Sequence, residues 1–334
     1  MKNIFKMKFD NRFDYITEKI LDSEFREFPF NHIYIENLFS EIDFNEIINS
    51  RQIKLRQSKD DKDLFKNLFK NDYKIISFPG CTTDYKKYIR THLKGKSLKA
   101  NETCESAGIA LRLTPSVPIL IELDQFLASE DFNKAIAQKF NINYMNCNID
   151  CGIQKYLDGY EISPHPDIRR KAATYMVNIN PHSESEEFNH HTKYLTLKPE
   201  YKYIQSFWED FQEAERNWIP WECCDIKLIQ EKNNSMVLFS PSNDTLHGVK
   251  ANYDHLITQR TQLYGNLWYS ENQNIFYSPK WNQLKNKDFF AKDIKKEDDQ
   301  LNKNSFSKRF INKTKDKIKS LLRFNGKEFK KREF

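Results

Sequence analysis

The chain changes character near residue 143, and this change constrains the fold more than any other feature. Beyond it, short runs rich in β-branched and aromatic residues follow one another, as in "AATYMVNINP", "SMVLFSP" and "RTQLYGNLWYS". Short strands separated by turns such as "DGYE" and "EKNN" are typical of an antiparallel sandwich or barrel. Before residue 143 the pattern is mostly helical, with apolar residues recurring at three and four positions, although "HIYIENLF" (32–39) alternates as a short strand. Ser129 can cap a helix whose apolar face includes Phe132, Ile136 and Phe140. We therefore predict an α+β fold in which N-terminal helices brace an eight-stranded jelly roll.

The chain shows no sign of division into several domains. It has no repeat at a period of 20–50 residues and no Gly/Ser-rich or Pro-rich linker. We predict one domain over residues 1–300, with helical support over 1–142 and the jelly-roll core over 143–275. A basic C-terminal tail, 301–334, follows, and its apolar residues recur close to helical spacing.

Charge is concentrated in that tail. Residues 301–334 contain 12 Lys or Arg and 3 Asp or Glu, a balance of +9, which leaves −3 for residues 1–300 out of the total of +6. A basic tail can attract nucleic acid, but the mildly acidic body disfavours a nucleic-acid partner. We interpret the tail as a helix packed on the body or as a frayed end.

Apolar runs such as "SVPILIEL" (116–123) are too short to cross a bilayer, and the start lacks the pattern of a signal peptide. These features predict a cytoplasmic protein without a membrane span. The six cysteines form no CxxC pair and are expected as reduced thiols. The sequence leaves the oligomeric state open.

A histidine and an aspartate, two residues apart, end the stretch "YLDGYEISPHPD" (156–167). Residues i and i+2 of a strand share a face, so His165 and Asp167 would present an imidazole and a carboxylate side by side. A non-heme Fe(II) site of the two-His-one-carboxylate type needs one more imidazole and leaves three positions open. The alternative is a turn braced by Pro164 and Pro166, in which Asp167 serves as a turn residue.

The third ligand has two candidates, His247 and His255. His247 ends the strand-like stretch "SMVLFSPSNDTLHGV", 82 residues after His165, where a second strand could bring it across the β core. His255 is expected in a connecting loop, so we favour His247. The other histidines lie in the helical half or in a polar insertion interpreted as a solvent-exposed loop: His32, His92, His182, His190 and His191.

Arg260 opens the strand "RTQLYGNLWY", thirteen residues beyond His247. A guanidinium on the inner face of an apolar and aromatic strand is costly unless it meets an anion, and its planar fork suits a carboxylate. A dicarboxylate such as 2-oxoglutarate would meet that need. Its keto-acid end would chelate the iron, and its distal carboxylate would end on Arg260.

Taken together, these segments resemble the Fe(II)- and 2-oxoglutarate-dependent oxygenases, particularly the prolyl-hydroxylase-like branch. The resemblance spans roughly residues 28–270 and includes "FPFNHIYIENLFSEIDFNEII", "LDQFLASEDFNKAIAQKFNI", "YLDGYEISPHPD" and "NNSMVLFSPSNDTLHGV" with "RTQLYGNLWY". It implies a double-stranded β-helix, the cupin-like form of the jelly roll. It also implies His165, Asp167 and His247 as iron ligands and Arg260 as the 2-oxoglutarate anchor.

Two positions depart from the family pattern or are left open by it. Many relatives place a Ser or Thr two residues after the arginine; here that residue is Gln262, with Thr261 adjacent. The remaining 2-oxoglutarate contacts of the family come from Tyr or Asn on core strands. The candidates for this role are Tyr156, Thr174 and Asn178.

The resemblance implies a dioxygenase that uses Fe(II), 2-oxoglutarate and O2, with ascorbate as a reductant. It would couple oxidative decarboxylation of 2-oxoglutarate, to succinate and CO2, with hydroxylation of an unactivated C–H bond. Halogenating relatives replace the ligand carboxylate by a small residue, so Asp167 favours hydroxylation or desaturation.

The substrate expected from the resemblance is an amino acid, a peptide or protein side chain, or a small metabolite, with specificity in loops such as 182–233. The basic residues Arg169, Arg170 and Lys171 could orient an acidic substrate or form a solvated loop. The alternative function is a non-catalytic, cupin-like metal- or ligand-binding protein, which would have no use for Arg260.

Overall fold

The computed structural model describes residues 11–96, 98–99 and 106–270. The α-helices in this part of the chain are α1 (Tyr15–Asp22), α2 (Glu41–Asn49), α3 (Asp61–Lys70), α4 (Tyr85–His92), α5 (Pro118–Leu127), α6 (Glu130–Lys139) and α7 (Tyr203–Asp210). The strands are β1 (Ile33–Glu36), β2 (Tyr73–Ile75), β3 (Leu98–Lys99), β4 (Ser106–Ala107), β5 (Ala110–Leu113), β6 (Cys147–Tyr156), β7 (Glu161–His165), β8 (Lys171–Asn178), β9 (Lys193–Leu197), β10 (Cys224–Ile229), β11 (Ser235–Phe239), β12 (His247–Lys250) and β13 (Arg260–Tyr269). No helix within these residues is long and apolar enough to cross a membrane. The predicted tail, 301–334, lies outside the described residues.

The eight strands β6 to β13 are divided between two antiparallel sheets. The larger sheet has the order β1-β11-β8-β13-β6-β5-β2, and the smaller one has the order β10-β9-β12-β7. The chain thus passes from β6 in the larger sheet to β7 in the smaller, back to β8, and on to β9 in the smaller. Such crossing between two facing four-stranded sets is the topology of a jelly roll. The predicted fold class, a double-stranded β-helix with helices on its N-terminal side, is confirmed.

The N-terminal region is less purely helical than predicted. The strand expected at "HIYIENLF" is β1, which pairs with β11, and two further strands, β2 and β5, extend the opposite edge of the same sheet. These two strands have only three and four residues, which is too short for a period of two to stand out. They cover an edge of the core that would otherwise expose unpaired backbone groups.

Helices α1 to α6 share one hydrophobic core with the outer face of the larger sheet. Ser129 caps α6 as predicted, since its side chain accepts a hydrogen bond from the backbone N–H of Phe132. Phe132 meets Tyr175 of β8 edge to face, with ring centroids 5.5 Å apart. Gly265 of the neighbouring strand makes room for this tyrosine, because a Cβ there would lie 2.1 Å from the tyrosine ring. Since Tyr175 points outward, the alternation of β8 turns Thr174 and Met176 inward, into the space between the sheets.

Candidate functional site

A cavity of about 640 Å³ opens between the two sheets. Volumes of this size are typical of small-molecule sites. The four residues on which the sequence prediction depends most line this one cavity, although they come from three separate parts of the chain. They are His165, Asp167, His247 and Arg260.

Three of these side chains converge on a common point. β7 and β12 are neighbours in the smaller sheet, and His165 and His247 are direct partners in their register. The two imidazole centroids are 4.3 Å apart. The Nε2 atom of His165 lies 3.4 Å from Oδ1 of Asp167, and that of His247 lies 3.9 Å from Oδ2. One ligand atom from each residue lies within 4.8 Å of the others, so the three could bind a single metal ion.

Asp167 reaches this point by a route that differs from the predicted one. We expected His165 and Asp167 to share a strand face, but β7 ends at His165 and Asp167 lies beyond it with φ of 64°. A left-handed residue reverses the chain direction locally, and Asp is among the few non-glycine residues that tolerate it. The carboxylate is therefore placed beside the imidazole by a turn, with Pro166 held through its carbonyl by the Thr245 hydroxyl at 3.0 Å.

Both imidazoles are oriented for metal binding. The Nδ1 atom of His165 lies 2.9 Å from the carbonyl oxygen of Ser163, and that of His247 lies 3.0 Å from the carbonyl oxygen of Thr245. A ring that donates from Nδ1 to a carbonyl leaves the lone pair of Nε2 free for a metal. Burial, together with the neighbouring His165, lowers the pKa of His247 to about 3, which keeps that ring in its neutral, ligating form.

The Asp167 carboxylate is ionised and fixed. Burial acts to raise its pKa, but Lys171 and the two histidines outweigh burial and hold the pKa well below its usual range. Lys171 donates to Oδ1 at 2.7 Å, and the Thr174 hydroxyl lies 2.8 Å from Oδ2. Thr174 was predicted as a 2-oxoglutarate contact; it does line the cavity, and its hydroxyl is engaged with the metal-side carboxylate.

Arg260 is buried without an anion. Only 2% of the residue is exposed, its Nη2 donates to the Thr192 hydroxyl at 2.9 Å, and its Cζ lies 4.7 Å from the centre of the Tyr156 ring. Its Nε is buried without a hydrogen-bond partner, and no described carboxylate forms an ion pair with it. Burial lowers the pKa of Arg260 from its usual value, a cost that an anionic ligand would relieve.

Tyr156 is positioned to contact a ligand bound to Arg260, whereas Asn178 is not. Tyr156 lines the cavity and stacks on the guanidinium. Asn178 is absent from the cavity wall; its amide donates to the carbonyl oxygens of Gln230 and Lys232 at 2.7 and 3.1 Å. The side chain of Asn178 therefore links β8 to residues 230–232, and it is not among the proposed cofactor contacts.

The hydroxyl beside Arg260 comes from an unexpected element. Thr261 faces away from the cavity, where its hydroxyl accepts a hydrogen bond from Lys155 Nζ at 2.7 Å. Gln262 lines the cavity, and its amide donates to Asn178 at 2.7 Å. Thr192, just before β9, supplies the hydroxyl that the family pattern places on the arginine's own strand. Thr192 is not among the predicted residues, because its proximity depends on the pairing of the smaller sheet.

Two histidines assigned to a solvent-exposed loop are buried, so that prediction was wrong. His190 is 1% and His191 4% exposed. His190 packs against Tyr253 and Phe188, with centroid separations of 4.8 and 5.7 Å. The polar sequence around these residues contains a short aromatic cluster next to Arg260, whose backbone N–H donates to the Tyr253 hydroxyl at 2.9 Å.

His255 lies in the connection between β12 and β13, as predicted, and belongs to a different cluster. Its Nε2 lies 2.8 Å from Asp61, and His92 bridges Asp61 and Asp158 at 3.0 and 2.9 Å. Asp61, His92 and His255 are close enough to hold a metal ion. Their nitrogen and oxygen atoms already pair directly with one another, however, so we interpret the group as an ion-pair network.

The three basic residues after Asp167 have three different environments. Arg169 donates to the carbonyl oxygens of Ala214 and Trp208, at 2.8 and 2.6 Å, and Lys171 is bound to Asp167. Only Arg170 is exposed at the cavity wall. Another basic residue, Arg216, lines the cavity as well and is not among the predicted site residues.

No protein-family model and no curated protein matches the chain. Among solved structures, the chain is similar to a prolyl-4-hydroxylase from Pseudomonas putida, with 11% identity, 77% of this chain and 98% of that chain covered, and a TM-score of 0.36. It is also similar to a prolyl hydroxylase from Trichoplax adhaerens, solved with a peptide fragment of the hypoxia inducible factor oxygen degradation domain, at 12% identity, 77% and 89% coverage and a TM-score of 0.40. A 2OG-Fe(II) oxygenase family oxidoreductase from Burkholderia pseudomallei matches at 9% identity, 64% and 94% coverage and a TM-score of 0.29.

Proposed function

We propose that this protein is a 2-oxoglutarate-dependent Fe(II) oxygenase that hydroxylates an unactivated C–H bond of an amino acid, a peptide or protein side chain, or a small metabolite. One observation carries the proposal. A two-His-one-carboxylate group and a buried arginine without an anion face the same cavity. The first is a donor set that suits non-heme Fe(II), and the second fits a carboxylate in the space beside it.

The protein's residues divide the work in a definite way. His165, Asp167 and His247 would hold the metal ion, and Arg260 with the Thr192 hydroxyl would hold the distal carboxylate of 2-oxoglutarate. When bound, iron and 2-oxoglutarate supply the oxidising chemistry, in which O2 and the keto acid yield succinate, CO2 and one oxygen atom for the substrate. Lys171 and Thr174 keep the Asp167 carboxylate oriented and ionised for its role as a ligand.

The intact carboxylate favours hydroxylation over halogenation, since Asp167 fills a metal position that a halide would need. Desaturation remains an alternative outcome of the same chemistry. The non-catalytic binding protein is the main competing function, and Arg260 is the residue that argues against it.

The direct test is succinate release from 2-oxoglutarate by the purified protein with Fe(II), O2 and ascorbate, over a panel of amino acids, peptides and metabolites. We expect His165→Ala and His247→Ala to lose iron. Arg260→Ala should keep iron and require a roughly 10- to 100-fold higher 2-oxoglutarate concentration, the cost of a charge-assisted pair. Arg90→Gln, a charge removal at an exposed position on α4, serves as the control.

An unchanged 2-oxoglutarate requirement in Arg260→Ala would remove this residue from the site. Tight binding of iron and 2-oxoglutarate without succinate release over the whole panel would instead identify a binding protein.

A further inference from the structure

A second arginine lines the cavity without an anion partner. Arg216 lies between α7 and β10, and only 6% of it is exposed. Its Nε is buried without a hydrogen-bond partner, and the rest of the guanidinium forms no hydrogen bond or ion pair with a described residue. A buried guanidinium in this state is costly in free energy, and an anion in the cavity would offset the cost.

The acidic residues near Arg216 are already engaged. Glu215 also lines the cavity, but its Oε1 accepts hydrogen bonds from the backbone N–H groups of Arg169 and Arg216, at 2.8 and 3.0 Å. Asp167 is bound by Lys171 and Thr174 and belongs to the metal-binding group. Asp244, the third acidic residue near Arg216, accepts a hydrogen bond from the Ser242 hydroxyl. None of the three carboxylates forms an ion pair with the Arg216 guanidinium.

Arg169 contacts the same segment and, unlike Arg216, has a structural role. Its guanidinium donates to two backbone carbonyls and ties the turn after Asp167 to the end of α7. Arg216 has no such bonds, and the positive charge of Arg169 nearby adds to the attraction for an anion. Burial and the neighbouring Arg169 lower the pKa of Arg216 to about 10, so it stays cationic at neutral pH.

The two unpaired arginines lie in different surroundings. Arg260 is enclosed by tyrosines and Thr192 at the start of β13. Arg216 lies within the electrostatic influence of Asp167, the metal-side carboxylate. A single dicarboxylate bound to Arg260 would therefore leave Arg216 available to a second molecule near His165, Asp167 and His247. The apolar residues on the remaining cavity walls include Phe78, Ile168, Trp218, Tyr264 and Trp268.

We propose that Arg216 binds the carboxylate of the prime substrate, a small carboxylic acid or amino acid whose apolar part lies against the aromatic walls. This inference rests on the proposed function, because 2-oxoglutarate is taken to occupy Arg260. A small molecule fits better than a protein loop, since the guanidinium is buried inside a cavity of about 640 Å³.

The test compares each acid with its primary amide, which has nearly the same shape and lacks the carboxylate charge. The full-length protein is loaded anaerobically with Fe(II) and saturating 2-oxoglutarate and titrated by calorimetry with leucine, phenylalanine, hexanoate and 3-phenylpropionate, each beside its primary amide. We expect at least one acid to bind about tenfold or more tightly than its amide, the preference given by one charge-assisted pair. Arg216→Gln should abolish that preference, and Arg216→Lys should retain part of it.

Two controls keep the outcome interpretable. Arg90→Gln removes an exposed arginine outside the cavity and should retain the preference for the acid. Binding of the amide by Arg216→Gln reports that its cavity is still folded. Equal binding of acid and amide by the natural protein, binding of no member of the panel, or an undiminished preference in Arg216→Gln would overturn the inference.

Binding of an acidic peptide, but of none of the small acids, would likewise overturn it and indicate a protein substrate. Failure of the proposed function would be seen separately, as failure of Fe(II) and 2-oxoglutarate to bind before any acid is added.

Discussion

Asp167 shows how one backbone angle can bring a carboxylate beside two imidazoles. Its φ of 64° costs a residue with a Cβ about 1–2 kcal/mol, whereas glycine adopts it freely. We therefore expect Asp167→Gly to be at least as stable as Asp167→Ala, the reverse of the order found in ordinary backbone, while both variants lose the carboxylate proposed to bind iron. Denaturant unfolding of the two variants in parallel measures the difference. A clear advantage for alanine would mean that the left-handed turn relaxes when the carboxylate is removed.

Arg260 provides a second test at the residue scale, because a buried residue that serves to bind a ligand often lowers the stability of the ligand-free protein. Replacing a buried, unpaired charge by an apolar side chain of similar length removes its desolvation cost. We expect Arg260→Met to raise the free energy of unfolding of the ligand-free protein by about 1 kcal/mol. The melting temperature of this variant should no longer respond to 2-oxoglutarate.

The matched control is Arg90→Met, at an exposed position, where the change in stability should be close to zero. If Arg260→Met instead lost stability on the scale of a core truncation, Arg260 would be a structural residue and the anion-binding role would fail.

Residue types alone brought forward four side chains that the structure places around one cavity. A His-x-Asp pair, a later histidine and an arginine on an apolar strand are together the residue types that would suit iron and a carboxylate. Thr192 and Arg216 could not be identified in this way. Thr192 meets Arg260 because of how the strands pair, and Arg216 stands out because its buried Nε has no hydrogen-bond partner. Burial of His190 and His191 was missed for the same reason: a polar loop in sequence can be an enclosed one in space.

At the scale of elements, His92 joins the helical region to the jelly roll. It ends α4, and its ring lies 3.0 Å from Asp61 of α3 and 2.9 Å from Asp158, in the turn between β6 and β7. Asp158 and Asp61 raise the pKa of His92 to about 9. A folded-state pKa above the unfolded value of about 6.5 means that this bridge stabilises the protein fully below pH 6.5, and that the contribution is lost as the pH rises through 9.

We accordingly expect His92→Gln to destabilise the protein more at pH 6 than at pH 9.5. Denaturant unfolding of both proteins at the two pH values checks this, and the difference between them cancels the titration of all other groups. An equal loss at both pH values would show that His92 acts through packing on Tyr88, whose ring is stacked on it.

Elements with long patterns or clear caps could be read from the sequence, and short ones could not. The Ser129 cap and the helix that follows it are present as predicted. β2 and β5 were hidden because three or four residues carry too little periodicity, and their strand conformation is stabilised by pairing with the sheet edge. The left-handed turn at Asp167 could not be predicted from the sequence either, because a Pro-His-Pro-Asp run is compatible with both a strand end and a turn.

At the scale of the whole molecule, the alternation of short strands predicted an antiparallel sandwich or barrel, and helices followed by eight strands favoured a jelly roll among these. The pairing order of the two sheets was not predictable from the pattern. That order brings β7 beside β12 and β8 beside β13, and so decides which side chains share the cavity.

The two histidines proposed to bind the metal, His165 and His247, belong to the smaller sheet, whereas Arg260 begins a strand of the larger one. A dicarboxylate held at both ends would therefore join the two sheets across the interior. Its binding should slow amide hydrogen exchange in Glu161–His165, His247–Lys250 and the start of β13, because local opening of the cavity would first require the ligand to leave. Exchange at the outer edge strand β2 should not change, and Arg260→Met should lose the effect. In this view a bound dicarboxylate would also be a transient structural tie, and the ligand-free protein would be the more open form of the jelly roll.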